Sequence, residues 1–258
     1  MFTKPKKSLG QNFLVDKNIQ EKIITVCRVT KKDIVLEIGS GRGEITGHLI
    51  RKAKKVIAVE LDKNLCGILK SRFASCANFE LLSNDILKLS LSKYKHLKVI
   101  ANIPYYISSP IITHLIKYRG SIKTIFLTIQ KEVGLRLIAG PGSKDYSSFS
   151  CFIQYYTEPK IHFLIKNASF WPKPKVDSCF IELAIRAKPP VKISDEDMFF
   201  KVIRTAFNQR RKQLKNSLAG LLPENKLSQA RAEDLSLSDF ARLVPYAGRG
   251  VDHKQKIC

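Results

Sequence analysis

Five short runs of aliphatic and β-branched residues alternate with helical patterns between residues 33 and 130, and this rhythm restricts the fold more than any other feature of the sequence. The runs are DIVLEIG, KVIAVEL, NFELLSND, KVIAN and KTIFLTIQ. The segments between them have amphipathic spacing, as in DKNLCGILKSRF, where Asp62 stands at the expected helix cap. Such alternation is typical of βαβ units, so we predict an α/β fold with a parallel sheet covered by helices.

The sequence after residue 145 departs from this rhythm. FSCFIQYY and SCFIELAIR flank the turn-rich stretch FWPKPKVDS, and we expect the two segments to be strands that close the sheet as a hairpin. RAKPPVKISDED, at residues 186–197, then breaks the pattern, and the residues after it have helical spacing. We therefore predict a larger α/β domain at residues 1–188 and a small helical domain at residues 189–258.

The charge of the chain points to a polyanionic partner. Lys and Arg number 45 against 22 Asp and Glu, which gives a formal net charge of +23. This excess favours nucleic acid, and an anionic membrane is the weaker alternative because no apolar run of about 18 residues or amphipathic anchor is found. We expect a monomeric cytoplasmic protein that binds no membrane.

Cysteine and histidine are spaced unlike metal ligands. The six cysteines include no C-x-x-C pair, and the five histidines fall far apart. We therefore predict no metal site and interpret the cysteines as small core residues in a reducing compartment, with a nucleophilic cysteine as the alternative.

The stretch EIGSGRGEIT has the features of a nucleotide-binding loop. It places three glycines between the first strand and a helix, namely Gly39, Gly41 and Gly43. Glu44 stands where a dinucleotide fingerprint has its last glycine, and its charge disfavours a pyrophosphate. Glu60 follows at the spacing of a ribose ligand, and Asp85 ends the third strand as an acceptor for the adenine amino group. The pattern predicts a pocket for an adenosine without phosphates, which we interpret as S-adenosylmethionine.

Seven motifs give the sequence a more specific resemblance. KSLGQNFL, EIGSGRGEIT, VELD, ND, NIPY, AGPGSKDY and FWPKPKVDS occur in this order between residues 7 and 185. In them the chain resembles the ribosomal RNA adenine dimethyltransferase family, most closely its bacterial small-subunit branch. The resemblance implies a Rossmann-like class I methyltransferase sheet and a small all-helical C-terminal domain that contacts RNA or the ribosome.

The resemblance also implies an activity and a set of ligands. The activity is dimethylation of the N6 amines of two adjacent adenosines near the 3′ end of small-subunit (16S) ribosomal RNA, during biogenesis of the small subunit. The cofactor-binding residues expected from the motifs are Asn12, Leu14, Gly39, Gly41, Glu60, Leu61, Asp85, Ile86 and Asn102. At position 106 the family usually has Asn or Gln, whereas this chain has Tyr106.

The stretch VIANIPYYISSP supplies the expected catalytic residues. An adenine amine is a poor nucleophile because its lone pair is delocalised into the ring. The side-chain oxygen of Asn102 and the carbonyl of Ile103 can each accept one N–H bond and aim the nitrogen at the transferable methyl. Pro104 fixes the backbone, and Tyr105 is expected to stack on the base. By resemblance, Phe170 is the opposite aromatic wall around a base that has left its helix.

A basic segment follows the Pro-rich break. FFKVIRTAFNQRRKQLKNSL is predicted as one amphipathic helix with an apolar stripe at Phe199, Ile203, Phe207, Leu214 and Leu218. We expect its Arg210, Arg211 and Lys212 to contact RNA phosphates. The alternative is a solvated face without a partner.

Three other functions are compatible with parts of the sequence. A macrolide-resistance methyltransferase acting on large-subunit RNA shares the cofactor motifs and the N-x-P-Y cluster. An NAD-dependent dehydrogenase is opposed by Glu44 and by the lack of a catalytic His or Lys constellation. A non-catalytic RNA-binding relative is opposed by the intact set of Glu60, Asp85 and Asn102.

Overall fold

The computed structural model describes residues 4–6, 9–226 and 228–247, so that Lys7 and Ser8 of the KSLGQNFL motif and the cysteine at 258 lie outside the described residues. Its strands are β1 (Phe13–Leu14), β2 (Ile34–Ile38), β3 (Lys55–Glu60), β4 (Phe79–Ser83), β5 (Leu97–Asn102), β6 (Ile122–Gln130), β7 (Thr157–Ile165), β8 (Phe170–Trp171) and β9 (Ser178–Ile185). Its helices are α1 (Lys17–Cys27), α2 (Glu44–Lys52), α3 (Lys63–Arg72), α4 (Ser108–Lys117), α5 (Lys131–Ile138), α6 (Ser148–Tyr156), α7 (Glu196–Asn208), α8 (Leu214–Ser217) and α9 (Leu237–Leu243).

The central sheet confirms the predicted α/β fold. Its strand order is β4-β3-β2-β5-β6-β9-β7, and β1 pairs with β8 in a separate two-stranded sheet. The first five strands of this order run parallel, and β9 runs antiparallel to β6. Strand order reverses between β2 and β5, since β3 and β4 lie on one side and β6 on the other. Ligands bind at such a switch point, beside the carboxyl ends of the strands.

The sheet is buried on both faces by helices. In β2 the neighbouring side chains Val35 and Leu36 point to opposite faces, and both are fully buried. One face packs against α1 and α2 through a cluster that includes Ile23, Leu49 and Phe180. Helix α3 begins at the predicted cap, where Asp62 accepts a hydrogen bond from the Asn64 N–H. The rigid sheet holds the strand ends at fixed positions.

The prediction of a strand at FSCFIQYY is wrong. Residues 148–156 form α6, and the Ser147 and Ser150 side chains make a reciprocal capping box at its start. Nearly continuous apolar sequence fits a buried strand or a buried helix equally, and the serine cap selects the helix here. The hairpin that closes the sheet is instead formed by β7 and β9, which are neighbours at its edge.

The prediction of one long basic helix is also wrong. Helix α7 ends at Asn208, and α8 begins only at Leu214, so Arg210, Arg211 and Lys212 lie in the turn between them. Arg210 is held there, since its Nε lies 2.7 Å from Glu233 Oε2 and its Nη2 donates to the Ser143 carbonyl at 3.3 Å. These bonds hold the chain in a turn where the charge pattern alone suggests helix.

The chain divides into two compact units. The first contains the described residues up to Gly134 together with Glu158–Ile185, and the second contains Leu135–Thr157 and the described residues from Arg186. These limits differ from the predicted division at residue 188 because α6 belongs to the second unit. After β9 the α-helices of the described chain are α7, α8 and α9, and three short 3₁₀ helices follow α8 or α9. A catalytic role for residues 1–188 and an RNA-contacting role for residues 189–258 stay predictions.

Candidate active site

The glycine loop and the NIPY stretch meet at the switch point of the sheet. Ile38 of β2 lies beside Ala101 of β5, which brings Gly39 next to Asn102. Gly39 has a φ of +72°, and a Cβ added there would lie 3.1 Å from the Asn102 carbonyl oxygen. Glycine is therefore required by both the backbone conformation and the close approach of β5.

Glu60 ends β3 and binds the backbone of its own turn and of the glycine loop. Its Oε2 accepts the Gly41 N–H at 2.9 Å, and its Oε1 accepts the N–H groups of Leu61 and Asp62, each at 2.9 Å. The side chain is buried, and this burial raises its pKa, with the three backbone hydrogen bonds opposing the rise. The carboxylate is thus fixed in place at the mouth of the loop.

The N-terminal segment crosses the site and is tied down at Asp62. The Lys6 ammonium lies 2.7 Å from Asp62 Oδ1, and the Gln11 amide donates to Oδ2 at 3.1 Å. Burial opposes ionisation of Asp62, but the hydrogen bonds from Lys6 and Gln11 outweigh it, so the pKa of this carboxyl is lowered. A charged Asp62 therefore anchors the segment that carries Asn12.

Asn12 and Asn102 are joined directly. The Asn102 side-chain amide donates from Nδ2 to the Asn12 carbonyl at 3.0 Å. This bond uses one of the two N–H groups of Nδ2 and fixes Oδ1 as the acceptor end of the amide. Oδ1 of Asn102 can therefore accept a hydrogen bond from an incoming N–H group.

Tyr105 is fixed at the other end of the NIPY stretch. Its hydroxyl shares a hydrogen bond of 2.6 Å with the hydroxyl of the fully buried Ser178. Burial raises the pKa of Tyr105, with the Ser178 hydrogen bond opposing, so the phenol is protonated at neutral pH. The Tyr105 side chain is therefore fixed at its hydroxyl as well as at its backbone.

These groups line one cleft of about 820 Å³, a volume that includes its open mouth. The predicted residues that line it are Asn12, Gly39, Gly41, Glu60, Leu61, Asp85, Ile86, Asn102, Ile103, Pro104 and Tyr105. The structure therefore brings most of the predicted cofactor and catalytic residues to one place.

Leu14 and Phe170 are two predicted site residues that the cleft does not contain. They pair across β1 and β8, and both side chains are buried in the hydrophobic core. Side chains alternate along a strand, so their neighbours Phe13 and Trp171 take the other face. The cofactor role of Leu14 and the role of Phe170 as an aromatic wall stay predictions, without support from the position of these side chains.

Sequence reasoning missed several residues of the cleft. Gly10 and Phe13 line it, as does Tyr106, whose ring lies where a Cβ on Gly10 would meet it at 2.9 Å. Gly10 and Phe13 could have been predicted, because they belong to the same motif, KSLGQNFL, as Asn12. Ser178, which holds Tyr105, is the last residue of FWPKPKVDS, but nothing in that motif indicates its partner.

The comparison with protein families decides the family of the chain. The family model described as ribosomal RNA adenine dimethylase matches residues 2–246. The chain belongs to this family. The predicted resemblance is confirmed, and with it an enzyme class that modifies ribosomal RNA.

One curated relative and two solved structures are similar to this chain. Ribosomal RNA small subunit methyltransferase A of Moorella thermoacetica is 40% identical over 262 residues, which cover 93% of this chain and 91% of that protein. A dimethyladenosine transferase from Plasmodium falciparum has a TM-score of 0.80 at 28% identity and covers 90% of this chain and 95% of its own. The 23S rRNA methyltransferase ErmE, at 21% identity and a TM-score of 0.75, covers 91% and 99% and shares the fold.

The cleft residues fit S-adenosylmethionine, the methyl donor that the family implies. Gly39 and Gly41 line the cleft without side chains, so a ligand can approach the backbone of the loop, and Glu60 presents a buried carboxylate at the ribose position expected from the sequence. Asp85 uses Oδ1 to accept the Leu87 N–H at 3.0 Å, which leaves Oδ2 for an adenine amino group. These acceptors are of the kind that the ribose hydroxyls and the amino group of an adenosine require.

The described part of the chain shows neither a metal cluster nor a membrane span. Within residues 4–6, 9–226 and 228–247, no group of three or more His, Cys, Asp or Glu side chains is placed to hold a metal ion. Among the same residues no helix is long and apolar enough to cross a membrane.

Proposed function

We propose that this protein dimethylates the N6 amines of two adjacent adenosines near the 3′ end of small-subunit ribosomal RNA, during biogenesis of that subunit. The family membership makes it an rRNA adenine dimethyltransferase. The choice of the small subunit is supported by the name and the 40% identity of the relative from Moorella thermoacetica. Bound S-adenosylmethionine supplies an electrophilic methyl group on a sulfonium.

The observation that carries the proposal is the orientation of Asn102. One N–H of its Nδ2 donates to the Asn12 carbonyl, and this orientation presents Oδ1 as the acceptor for one N–H of the adenine amine. The Ile103 carbonyl accepts the other, which directs the nitrogen lone pair away from both acceptors and toward the methyl donor. The same acceptors also admit an amine that already carries one methyl group and donates its single remaining N–H. Both transfers can therefore use the same cleft.

Tyr105 and Pro104 position the base. The Tyr105 ring lies in the cleft with its hydroxyl fixed by Ser178, and a base stacked on it gains about 1–3 kcal/mol. The target adenosine has to leave its helix to reach this ring. The amine becomes cationic on transfer and loses its proton to water, so catalysis here is positioning of the nucleophile.

The partners follow from the charge and the family. We infer that the protein binds the immature small subunit as a monomer in the cytoplasm, with Arg211 and Lys212 of the second unit on RNA phosphates. Arg210 has a structural role in addition, because it pairs with Glu233.

The test is methyl transfer from labelled S-adenosylmethionine to separately prepared small-subunit and large-subunit RNAs and immature particles, followed by mapping of the modified base. The proposal expects dimethyladenosine at two adjacent positions of small-subunit RNA. Modification of large-subunit RNA alone would contradict it and favour the macrolide-resistance reaction. Binding of RNA without transfer to any substrate would favour the non-catalytic alternative.

A further inference from the structure

Trp171 is a large aromatic residue exposed to solvent at the rim of the cleft. Its side chain is 44% exposed, although it lies in a strand and beside the buried Phe170. It pairs with Phe13, which itself lines the cleft, and the two rings are stacked with centroids 6.4 Å apart. The indole therefore continues the wall of the cleft outward to the surface.

Arg42 holds this pair of rings from one side. Its guanidinium carbon lies 4.3 Å from the centroid of the Phe13 ring and 5.0 Å from that of Trp171. A guanidinium on an aromatic face is attracted by the ring quadrupole. The Arg72 side chain donates to the Arg42 carbonyl at 2.7 Å and so fixes the loop that carries Arg42. The indole is thus supported while part of it stays open to solvent.

The loop that follows Trp171 is basic and exposed. Lys173 and Lys175 are both exposed, and residues 167–176 contain no acidic residue. Asp177, which ends this stretch, is occupied by the Lys166 ammonium at 3.0 Å and by the Asn167 N–H at 3.0 Å. A partly exposed aromatic ring, with exposed cations two and four residues further along the chain, matches the base and phosphate of a nucleotide.

We propose that Trp171 is a stacking platform for an unpaired nucleotide that flanks the target adenosine, with Lys173 and Lys175 on its phosphates. We call Trp171, Phe13 and Arg42 the rim platform. A base stacked on the rim platform holds the RNA strand in the single-stranded form that delivers its neighbour to the cleft. The inference rests on the proposed function, which takes the substrate strand to be RNA and the target base to be adenosine.

The sequence offers a direct test, because Trp171 is the one tryptophan among its 258 residues. The full chain is titrated with a short single-stranded oligoribonucleotide containing two adjacent adenosines, and binding is followed by anisotropy of a dye on the RNA. Tryptophan fluorescence lifetime and quenching by acrylamide are recorded on the same samples. Stacking shortens the lifetime and protects the indole from acrylamide, whereas inorganic polyphosphate of equal charge does neither. RNA binding with unchanged lifetime and unchanged acrylamide quenching would overturn the proposal.

Two substitutions separate stacking from charge. Trp171→Leu should weaken binding of the oligoribonucleotide about fivefold or more, and Trp171→Phe should retain most of the affinity. The salt dependence of binding should be the same in Trp171→Leu as in the parent, because no phosphate contact is removed. Leu164→Ala, which removes another exposed apolar side chain, is the matched control and should bind normally. A Trp171→Leu protein that melts at the parent temperature and binds RNA with parent affinity would contradict the platform.

The outcomes distinguish this inference from the proposed function. If the protein methylates small-subunit RNA but its Trp171 fluorescence lifetime does not respond to RNA, the platform is contradicted and the proposed function is not. If the lifetime responds clearly to RNA but small-subunit RNA is not methylated, the proposed function is contradicted and the platform is not. If Trp171→Leu fails to fold, the lifetime and the acrylamide quenching of the unsubstituted protein still decide.

Discussion

At the scale of single residues, Glu60 shows how a buried carboxylate can serve structure and ligand together. Three backbone N–H groups bind its two oxygens, and two of the three come from its own turn. Each carboxylate oxygen has two acceptor positions, so Oε2, with the single Gly41 N–H, retains one for a ribose hydroxyl. The same group therefore holds the glycine loop and faces the cleft.

Replacement of Glu60 by Ala should remove most of the cofactor affinity. Loss of a charge-assisted acceptor costs roughly 1.5–3 kcal/mol, which is a weakening of about tenfold or more. Titration calorimetry with S-adenosylmethionine measures the effect. Glu80→Ala, which removes a carboxylate from the neighbouring strand β4, is the matched control and should bind the cofactor normally. Unchanged binding by Glu60→Ala would remove Glu60 from the site.

The hydrogen bond between Tyr105 and Ser178 should couple these two residues in catalysis. Ser178→Ala leaves the Tyr105 hydroxyl buried without its partner, and Tyr105→Phe leaves Ser178 in the same state. Each change should lower the rate constant for methyl transfer, and the double variant should be no slower than the slower single variant. Ser178→Thr keeps the hydroxyl and should restore part of the rate. Additive losses in this double-mutant cycle would contradict a shared role.

At the scale of elements, the strands of the parallel sheet were predictable from the sequence. The helices of the second unit were harder to predict. The runs before β6 are apolar, short and bounded by turns, so period and length agree on strand. In α6 the packing partners are aromatic residues remote in sequence, such as Phe200, whose ring lies 5.5 Å from that of Phe152. Local sequence cannot report such contacts, so pattern alone favoured a strand.

In the site, likewise, some residues could be predicted from the local sequence and others could not. Residues at strand ends, such as Glu60 and Asn102, were found because parallel strands place their carboxyl ends together. The inward direction of Leu14 and Phe170 depends on the pairing of β1 with β8, two segments about 150 residues apart in the chain, and no periodicity reports that register.

A buried pair that joins β2 to α2 should make stability depend on pH. The Thr46 hydroxyl donates to Glu37 Oε2 at 2.6 Å, and both side chains are buried. Burial raises the pKa of Glu37 to about 8, with the Thr46 hydrogen bond opposing. The folded state therefore keeps a proton that the unfolded chain releases near its ordinary pKa of about 4.3, so this stabilisation is complete below that value and is lost as pH rises toward about 8.

Glu37→Gln tests this linkage, because the amide still accepts the Thr46 hydrogen bond and cannot ionise. The free energy of unfolding of the parent should fall relative to that of Glu37→Gln as pH is raised from about 5 to about 8. Urea denaturation at several pH values measures the difference. A difference that stays constant over this range would show that Glu37 is already charged in the folded protein.

At the scale of the whole molecule, the net charge of +23 makes RNA affinity dependent on salt. Arg211→Glu with Lys212→Glu should weaken RNA binding and flatten its salt dependence, since two phosphate contacts are lost. Lys31→Glu with Lys32→Glu is the charge-matched control, because these residues precede β2 at the end of the strand opposite the cleft. Filter binding at several salt concentrations compares the two. Equal effects of both pairs would show that only net charge matters.

Arg210 should behave differently from its two neighbours. Its pairing with Glu233 and the Ser143 carbonyl predicts that Arg210→Ala lowers the melting temperature of the protein, whereas Arg211→Ala leaves it unchanged. Calorimetric melting of both variants checks this. Equal melting temperatures would show that the Arg210 ion pair contributes nothing to stability, as many exposed pairs do not.

The orientation of the target amine by Asn102 is the central claim, and single-turnover methyl transfer tests it most directly. With cofactor and small-subunit RNA both saturating, Asn102→Ala should lower the rate constant by about 100-fold or more, because the amine loses the acceptor that aims it. Asn64→Ala, which removes an exposed amide on α3, should transfer at the parent rate. A near-parent rate for Asn102→Ala under these conditions would contradict the mechanism.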